Sequence, residues 1–332
     1  MNRTPPSAGL VSVVLPTYKR AHLLGSAIRS VLDQTYANLE LLVVDDNSPD
    51  DTPQVVASFG DPRIRYVRNE SNLKLPRTLN RGFSLSRGDY LTWTSDDNLY
   101  RENALGRMVD AMLKRQCDFV YADYYLFADL DSDGKPVDVH HDRLPDIVQL
   151  EKGNHIGACF LYSRAAYDAV GEYDPELFLV EDYDYFMRIA KRFPMCHIAE
   201  PLYYFRRHDD ALFVSRFCEV KAADVLVRYK NDLLDDIGAL DAVVTLLMRN
   251  ADDLKNPLFR TVERLLARTS YRLTACYRKA LEKYLRLRLR NRFARLLNDY
   301  RAKRIAFVTA RDTLCGLMRE FAAVAYSAPR RR

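Results

Sequence analysis

The chain of 332 residues is 48% hydrophobic and 29% charged, which is ordinary globular composition and excludes a disordered chain. No apolar run approaches the roughly 20 residues that span a bilayer, and the N-terminal residues have no apolar signal core, so secretion is not expected. Residues 1–215 carry 24 basic and 32 acidic side chains, whereas residues 216–332 carry 26 and 13, which predicts an acidic module followed by a basic one. The six cysteines form no Cys-x-x-Cys motif, and we expect them to be reduced thiols in a cytoplasmic protein.

Strand and helix signals alternate over the first 125 residues. Short apolar runs of the buried-strand type alternate with segments in which apolar residues recur at helical spacing. This alternation predicts an open, mostly parallel α/β sheet. The predicted strands are residues 10–16, 39–46, 63–69, 90–94 and 117–127, and the predicted helices are residues 20–34, 52–59, 75–86 and 101–115.

The sequence patterns after this alternation predict a loop, a strand and a helix in the rest of the first module, and helices in the basic module. Residues 128–141 are polar and predicted to be a loop, residues 157–164 a strand and residues 181–193 a helix. We therefore predict a catalytic domain over residues 1–210 and a helical bundle over residues 211–332. Residues 285–290 alternate Leu and Arg with the period of a strand, but the helical periodicity on both sides outweighs that pattern. The bundle's apolar stripes are Leu258, Val262, Leu265 and Leu266, then Phe293, Leu296, Leu297 and Tyr300.

Paired carboxylates follow two predicted strands. Asp45 and Asp46 end the second strand, and Asp96 and Asp97 follow the fourth. Ligands of open parallel sheets bind beyond the carboxyl ends of the strands, and oxygen ligands there select hard cations such as Mg²⁺ or Mn²⁺, often shared with substrate phosphates. The alternative, acidic caps at helix N-termini, fits Asp96 and Asp97 poorly because the next helix begins several residues later. The absence of G-x-G-x-x-G and of a P-loop argues against a dehydrogenase and a P-loop ATPase.

Two segments carry a resemblance to a known family. VSVVLPTYKRAHLLGSAIRSVLDQTYANLELLVVDDNSPDDT and NLKLPRTLNRGFSLSRGDYLTWTSDDN resemble the first and second blocks of glycosyltransferase family 2, the inverting enzymes with the GT-A fold. The resemblance covers roughly residues 11–210. It implies a GT-A type, mostly parallel sheet flanked by helices, and it leaves the C-terminal helical domain outside. It also implies transfer of one sugar from a nucleotide-diphosphate sugar, for which we expect UDP and leave dTDP and GDP open.

By matching position, the resemblance assigns the donor pocket to residues near the ends of the first two strands: Pro16, Thr17, Tyr18, Asp45 and Asp46. Asp46, with Asp45 beside it, would accept a hydrogen bond from the base, as the N–H of uracil requires. Lys74 is a candidate contact of the diphosphate; the alternative is an exposed basic side chain without a specific role.

The family's D-x-D motif aligns on Ser95-Asp96-Asp97, so serine replaces its first aspartate. Asp97 would then be the ligand of Mn²⁺ or Mg²⁺, and Asp96 would contact the ribose. His208 is assigned to the metal or the pyrophosphate; the alternative is a solvated surface histidine.

Glu181-Asp182 matches the family's "ED" motif. Asp182 would take the proton from the acceptor hydroxyl as general base; the alternative is a charge that stabilises the helix dipole. Glu181 would lie on the acceptor side. Gly157, in NHIGACFLYSR, would let the backbone approach the sugar. A single base opposite the leaving group implies inversion, since a double displacement needs a second, nucleophilic carboxylate.

The acceptor is expected to be a glycan, lipid-linked or protein-linked. The basic module is either a solvated helix face or a peripheral contact with anionic lipid at the inner face of the membrane. No nucleic-acid motif is present, and a homo-oligomer is left open.

Two other functions compete with glycosyl transfer. A nucleotidyltransferase would need a glycine-rich loop where PTYKRAH stands. Intact Asp97 and Asp182 argue against a non-catalytic nucleotide-sugar-binding scaffold, to which the replacement at Ser95 leaves some room.

Overall fold

The computed structural model describes residues 9–208, 215–249 and 275–326. The chain divides into two compact units, residues 1–208 and residues 209–332. The predicted domain boundary between residues 210 and 211 lies outside the described residues, and so does the predicted apolar stripe from Leu258 to Leu266.

The first unit contains the strand–helix alternation predicted up to residue 115, with strand and helix ends shifted by three residues or fewer. Its elements are β1 (Val11–Thr17), α1 (Ala21–Leu32), β2 (Leu39–Asp45), α2 (Thr52–Ala57), β3 (Ile64–Arg68), α3 (Leu75–Leu85), β4 (Tyr90–Trp93), β5 (Leu99–Tyr100), α4 (Ala104–Arg115), β6 (Phe119–Ala122), β7 (Tyr124–Phe127), β8 (Asp129–Leu130), β9 (Pro136–Val137), β10 (His140–Asp142), β11 (Phe160–Ser163), α5 (Arg164–Val170), α6 (Glu181–Ala190), β12 (Met195–Ile198) and β13 (Tyr203–Arg206).

Seven strands form the main sheet in the order β12-β6-β11-β4-β1-β2-β3. All neighbours are parallel except β11, which is antiparallel to both β4 and β6. β2 is buried along its whole length, as expected for a strand covered on both faces. Gly82 lets α3 approach the sheet closely, because a Cβ atom there would lie 2.4 Å from Cγ1 of Val14. The predicted mostly parallel α/β sheet is confirmed.

The predicted strand over residues 117–127 is wrong as a single element. It breaks at Asp123, where the chain leaves the main sheet at β6 and enters a second sheet, β10-β7-β13-β5, at β7. The buried Asp123 carboxylate lies 2.8 Å from Nε2 of His197 and 3.0 Å from Nε2 of His141, and it accepts the amide of Leu144 at 2.9 Å. These contacts fasten part of the predicted loop, which includes the short strands β8, β9 and β10, to the edge of the main sheet.

The expectation that all six cysteines are reduced is wrong for one pair. Cys117 and Cys196 form a disulfide, with Cα atoms 6.2 Å apart and 79 residues between them in sequence. The parallel pairing of β12 with β6 brings them together, which no local cysteine motif could indicate. Cys159, Cys218 and Cys315 are free thiols.

The second unit is helical where it is described, with α7 (Phe217–Lys230), α8 (Asp236–Arg249), α9 (Ala275–Arg301) and α10 (Phe307–Tyr326). α7 packs on α10, and α9 packs on α8 and α10. The Leu-Arg repeat lies in α9, as the flanking periodicity predicts: Leu285 and Leu289 are buried one turn apart, whereas Leu287 faces solvent. In the described ranges, no helix combines the length and the apolar character needed to cross a bilayer.

Candidate functional site

The carboxyl ends of β4, β1 and β2 lie side by side at one edge of the sheet. Thr17 is in register with Asp45 across β1 and β2, and its hydroxyl donates to Oδ2 of Asp96 at 2.8 Å. The predicted acidic residues after β2 and β4 are therefore brought together around the end of β1. Because strands β4, β1 and β2 are all parallel, this edge carries the loops expected to bind a ligand.

Asp96 and Asp97, together called the β4 pair, are 6% and 9% exposed. The Arg20 guanidinium contacts both: Nη1 bonds Oδ2 of Asp97 and lies 3.5 Å from Oδ1 of Asp96. Nε2 of His208 lies 3.1 Å from the same Oδ2 of Asp97. Burial and the charge of Asp97 raise the pKa of Asp96 to about 7, against the opposing effects of Arg20 and Thr17. The β4 pair is thus a buried acidic cluster held by basic side chains.

His208 reaches Asp97 because β13 is fastened to the segment after β4. The amide of Arg206 donates to Oδ1 of Asn98 at 2.8 Å, and its Nε donates to the carbonyl oxygen of Asp97 at 3.3 Å. Asp97 and His208 are 111 residues apart in sequence. Among the described residues, no three His, Cys, Asp or Glu side chains converge on a metal position. Asp97 and His208 supply two donors, which fits a hard cation that substrate phosphates complete.

Asp45 is fully buried, and both of its carboxylate oxygens are engaged within the protein. Oδ1 accepts the amide of Ser48 at 2.8 Å, and Oδ2 accepts the hydroxyl of Tyr66 at 2.6 Å. Asp45 therefore fixes the turn after β2 and ties it to β3.

Asp46 organises the loop between β3 and α3. Its Oδ1 accepts Nδ2 of Asn69 at 2.8 Å and the amide of Leu73 at 2.7 Å, and its Oδ2 accepts the amide of Lys74 at 3.0 Å. Lys74 therefore contacts Asp46 through its backbone amide, whereas its side chain is exposed.

Strained backbone follows β1, β2 and β3, three neighbouring parallel strands of the main sheet. Lys19 after β1, Asn47 after β2 and Lys74 after β3 have φ of 59°, 65° and 69°. Residues other than glycine rarely adopt such φ values. These values persist only where the surrounding structure imposes them, often at functional sites. Tyr18, beside Lys19, is 39% exposed, and Nζ of Lys19 lies 5.1 Å from its ring centroid. Pro16 is half-buried at the end of β1.

Glu181 and Asp182, together called the α6 pair, begin α6 two residues after Leu179, whose φ is 90°. Oε2 of Glu181 accepts the amide of Leu179 at 2.8 Å. Oδ1 of Asp182 accepts the amide of Tyr183 at 2.7 Å, and Oδ2 accepts Nδ2 of Asn154 at 3.1 Å. Burial raises the pKa of both carboxyls, and the charge of Asp182 raises that of Glu181 further.

The sheet register brings the α6 pair to the same edge as the β4 pair. In the antiparallel pairing of β11 with β4, Tyr162 is opposite Leu91, so the chain before Phe160 extends beyond the carboxyl end of β4. Asn154 lies in that chain segment and bonds Asp182. Both acidic pairs therefore border the same edge.

Gly157 has a packing reason to be glycine. Its φ is 74°, and a Cβ atom there would lie 2.4 Å from Cε1 of Tyr124. The proposed acceptor role of Gly157 stays a prediction. Arg20 and Asn154 were missed by the sequence reasoning, although Arg20 stands in PTYKR and Asn154 opens NHIGACFLYSR, both of which had been singled out.

The mostly parallel sheet flanked by helices, with acidic side chains at its carboxyl edge, forms a GT-A fold, as the comparison with solved structures shows. Staphylococcus aureus TarS 1–349 in complex with UDP-GlcNAc has this fold, with a TM-score of 0.55 and 17% identity over 93% of this chain and 91% of that one. The mannosyltransferase PcManGT from Pyrobaculum calidifontis, in complex with GDP-Man and Mn²⁺, has a TM-score of 0.54 and 16% identity over 85% and 86%. At these identities the likeness shows the fold.

The model of glycosyl transferase family 2 matches residues 12–171, just under half of the chain, which bears out the predicted resemblance to this family. WfgD of Escherichia coli, a UDP-Glc:alpha-D-GlcNAc-diphosphoundecaprenol beta-1,3-glucosyltransferase, is 36% identical over 115 residues, which are 35% of this chain and 46% of that one. The chain spans less than half the length of the first curated relatives it matches.

Proposed function

We propose that the protein transfers one sugar from a nucleoside-diphosphate sugar, with UDP as the nucleotide, to an acceptor hydroxyl with inversion. The observation that carries this proposal is the placement of two acidic pairs with differently charged partners at one edge of the GT-A sheet. One pair contacts a guanidinium and an imidazole, whereas the other has neutral hydrogen-bond partners and raised pKa values at both of its carboxyls. Such a division suits a leaving diphosphate on one side and a proton acceptor on the other.

On the donor side, Pro16, Thr17 and Tyr18 line the base pocket, and Asp46 contacts the base. Asp45, which is buried and bonded by Ser48 and Tyr66, fixes the turn that carries Asp46. TarS in complex with UDP-GlcNAc, and WfgD with UDP-Glc in its name, support a uridine nucleotide.

Asp97 and His208 would hold Mn²⁺ or Mg²⁺, and Asp96 would contact the ribose. When bound, such a cation stabilises the negative charge that develops on the leaving diphosphate. The two-donor set and the Mn²⁺ in the PcManGT complex support this assignment. Lys74 is exposed at the same edge and is proposed to contact the diphosphate.

Asp182 accepts the proton of the acceptor hydroxyl. Its raised pKa lies closer to neutral pH, and a general base is most effective when its pKa is near the working pH. Asn154 holds Oδ2 of Asp182 and so orients the carboxylate. Glu181 and Gly157 lie on the acceptor side.

The acceptor is proposed to be a glycan, and the name of WfgD supports a lipid-linked one. Four further points stay predictions: protein-linked acceptors, a homo-oligomer, a cytoplasmic location, and contact of the basic helices with anionic lipid. Several arginines of α9 pair with acids inside the second unit, which lowers the charge available to lipid: Arg292 with Glu320, and Arg301 with Asp236. A nucleic-acid partner is not proposed.

A thermal-shift screen tests the donor assignment. UDP, GDP and dTDP are added to the full chain with and without Mn²⁺. A ligand that binds only the folded state, at one hundred times its dissociation constant, stabilises by about 2.7 kcal/mol. UDP with Mn²⁺ is expected to raise the melting temperature most. If none of the three nucleotides raises it, the proposed function is wrong.

A further inference from the structure

Arg20 occupies one of the two carboxylate oxygens of Asp97 that are available to a bound cation. Its Nη1 bonds Oδ2 of Asp97 and lies 3.5 Å from Oδ1 of Asp96. His208 approaches the same Oδ2 of Asp97, at 3.1 Å. A charged nitrogen group is therefore already bonded at the centre of the β4 pair.

The backbone of Arg20 is fixed, whereas its guanidinium lies near solvent. The carbonyl oxygen of Arg20 accepts the amides of Leu23 and Leu24 at 3.0 and 3.1 Å, at the start of α1. Its side chain is 28% exposed, whereas that of Asp97 is 10% exposed. The guanidinium can therefore leave Asp97 by side-chain rotation, without a change in the sheet or in α1.

A guanidinium and a divalent cation compete electrostatically for the carboxylate of Asp97. Both are attracted to Oδ2 of Asp97, and they repel each other when they share it. A diphosphate offers a second partner, because its oxygens accept paired hydrogen bonds from the fork of a guanidinium. Loss of the contact with Asp97 can thus be offset when a nucleoside diphosphate arrives.

We infer that Arg20 is an exchangeable counter-cation of the donor site: it holds Asp97 in the empty protein, gives way to the divalent cation, and binds the diphosphate of the donor. The inference rests on the proposed function, which supplies the diphosphate and the cation. A purely structural ion pair at the same place would hold the fold together without opposing cation binding.

The first test measures Mn²⁺ binding to the full chain without nucleotide, by the electron paramagnetic resonance of free Mn²⁺. The variant Arg20→Gln is compared with wild type and with Arg107→Gln, whose guanidinium pairs with Glu200 at the surface. Arg20→Gln is expected to bind Mn²⁺ at least about tenfold more tightly, the scale on which one adjacent opposite charge alters proton binding by a carboxylate. Arg107→Gln is expected to match wild type. An unchanged Mn²⁺ affinity in Arg20→Gln overturns the inference.

The second test repeats the titration with UDP. UDP and Mn²⁺ must raise each other's affinity by the same factor. In Arg20→Gln no guanidinium is transferred from Asp97 to the diphosphate, so this factor is expected to fall by about tenfold. A factor equal to that of wild type contradicts the inference even if the Mn²⁺ affinity alone has changed.

Arg20→Lys covers the case in which Arg20→Gln does not fold. A single ammonium keeps the charge but cannot hold two carboxylates and then a diphosphate as a fork does, so Mn²⁺ binding without UDP should be tighter than in wild type. Equal affinity overturns the inference. UDP binding by wild type tests the proposed function separately. If the variant binds Mn²⁺ more tightly but the wild-type protein does not bind UDP, Arg20 competes with the cation at Asp97 and the donor assignment is wrong. If the wild-type protein binds UDP but the variant has an unchanged Mn²⁺ affinity, the donor assignment is supported and the inference about Arg20 is wrong.

Discussion

The β4 pair and the α6 pair are both adjacent carboxylates at one edge of the sheet, yet their partners differ in charge. The β4 pair contacts the guanidinium of Arg20, which brings positive charge to Asp97, and the imidazole of His208. The α6 pair is bonded by the amides of Leu179 and Tyr183 and by the carboxamide of Asn154, all of them neutral.

This difference in partners shows how one fold can give two similar acidic motifs different chemistry. A carboxylate that contacts a guanidinium, as Asp97 does, can exchange one cation for another. Carboxyls desolvated among neutral donors have raised pKa values and can exchange a proton. Burial raises the pKa of Asp96 as well, but there the charge of Arg20 opposes it. We therefore expect substitutions at the two pairs to affect different measurements, and the following variants test that separation.

The largest effect is expected from Asp182→Asn. The amide keeps the shape but cannot accept a proton, so turnover should fall by about 10²–10⁴-fold while binding of UDP with Mn²⁺ is retained. Turnover is measured as UDP released from whichever of UDP-glucose and UDP-GlcNAc wild type accepts. The control is Glu176→Gln, an exposed acid before α6. Undiminished turnover in Asp182→Asn would remove Asp182 from the role of base.

Asp97→Asn should alter cation-dependent donor binding. Loss of the charged donor is expected to weaken binding of UDP in the presence of Mn²⁺ by at least about tenfold, and to abolish most of the difference between UDP with and without the ion. Isothermal titration gives both affinities. Asp110→Asn, at a surface ion pair with Lys114, is the control. If Asp97→Asn binds UDP and Mn²⁺ as wild type does, the β4 pair is not the cation site.

The α6 pair should make stability depend on pH in a defined direction. The raised pKa of Glu181 means that the folded protein keeps a proton that the unfolded chain has lost. Stability is therefore full below the ordinary carboxyl pKa and falls as pH rises toward the raised value, by at most about 1.4 kcal/mol per pH unit for one proton. Urea unfolding between about pH 5 and 8 measures the slope. Glu181→Gln should flatten it, and a slope equal to that of wild type would contradict the assignment.

The smallest effect is expected from Asn154→Ala. The hydrogen bond from Asn154 lowers the pKa of Asp182, against the larger effect of burial. Without it that pKa rises, so the acidic limb of kcat/KM should move to higher pH by about one unit, with little change in the rate above it. His155→Ala, at the neighbouring exposed position, is the control. A limb that stays in place would show that Asn154 does not act on the base.

Much of the first unit follows from local pattern. The apolar runs at β1 and β2 and the helical spacing in α1 predict a parallel α/β sheet, because covered strands are apolar throughout and surface helices are apolar on one face. The helical conformation predicted for the Leu-Arg repeat in α9 is confirmed for a similar reason, because residues 285 and 289 lie on one side of a helix. The break at Asp123 was not predictable, because the histidines that hold Asp123 come from distant segments.

The amino-acid sequence is sufficient to indicate the resemblance to the family, the alternation of strands and helices, and the carboxylates at the strand ends, since each depends on residues close together in the chain. The groups that contact those carboxylates are known only from the folded structure. Arg20 and His208 meet at Asp97, and Asn154 meets Asp182, across separations of 77, 111 and 28 residues. The charge of these neighbours, and the burial that folding imposes, decide whether a carboxylate holds a cation or a proton, and neither can be read from a motif.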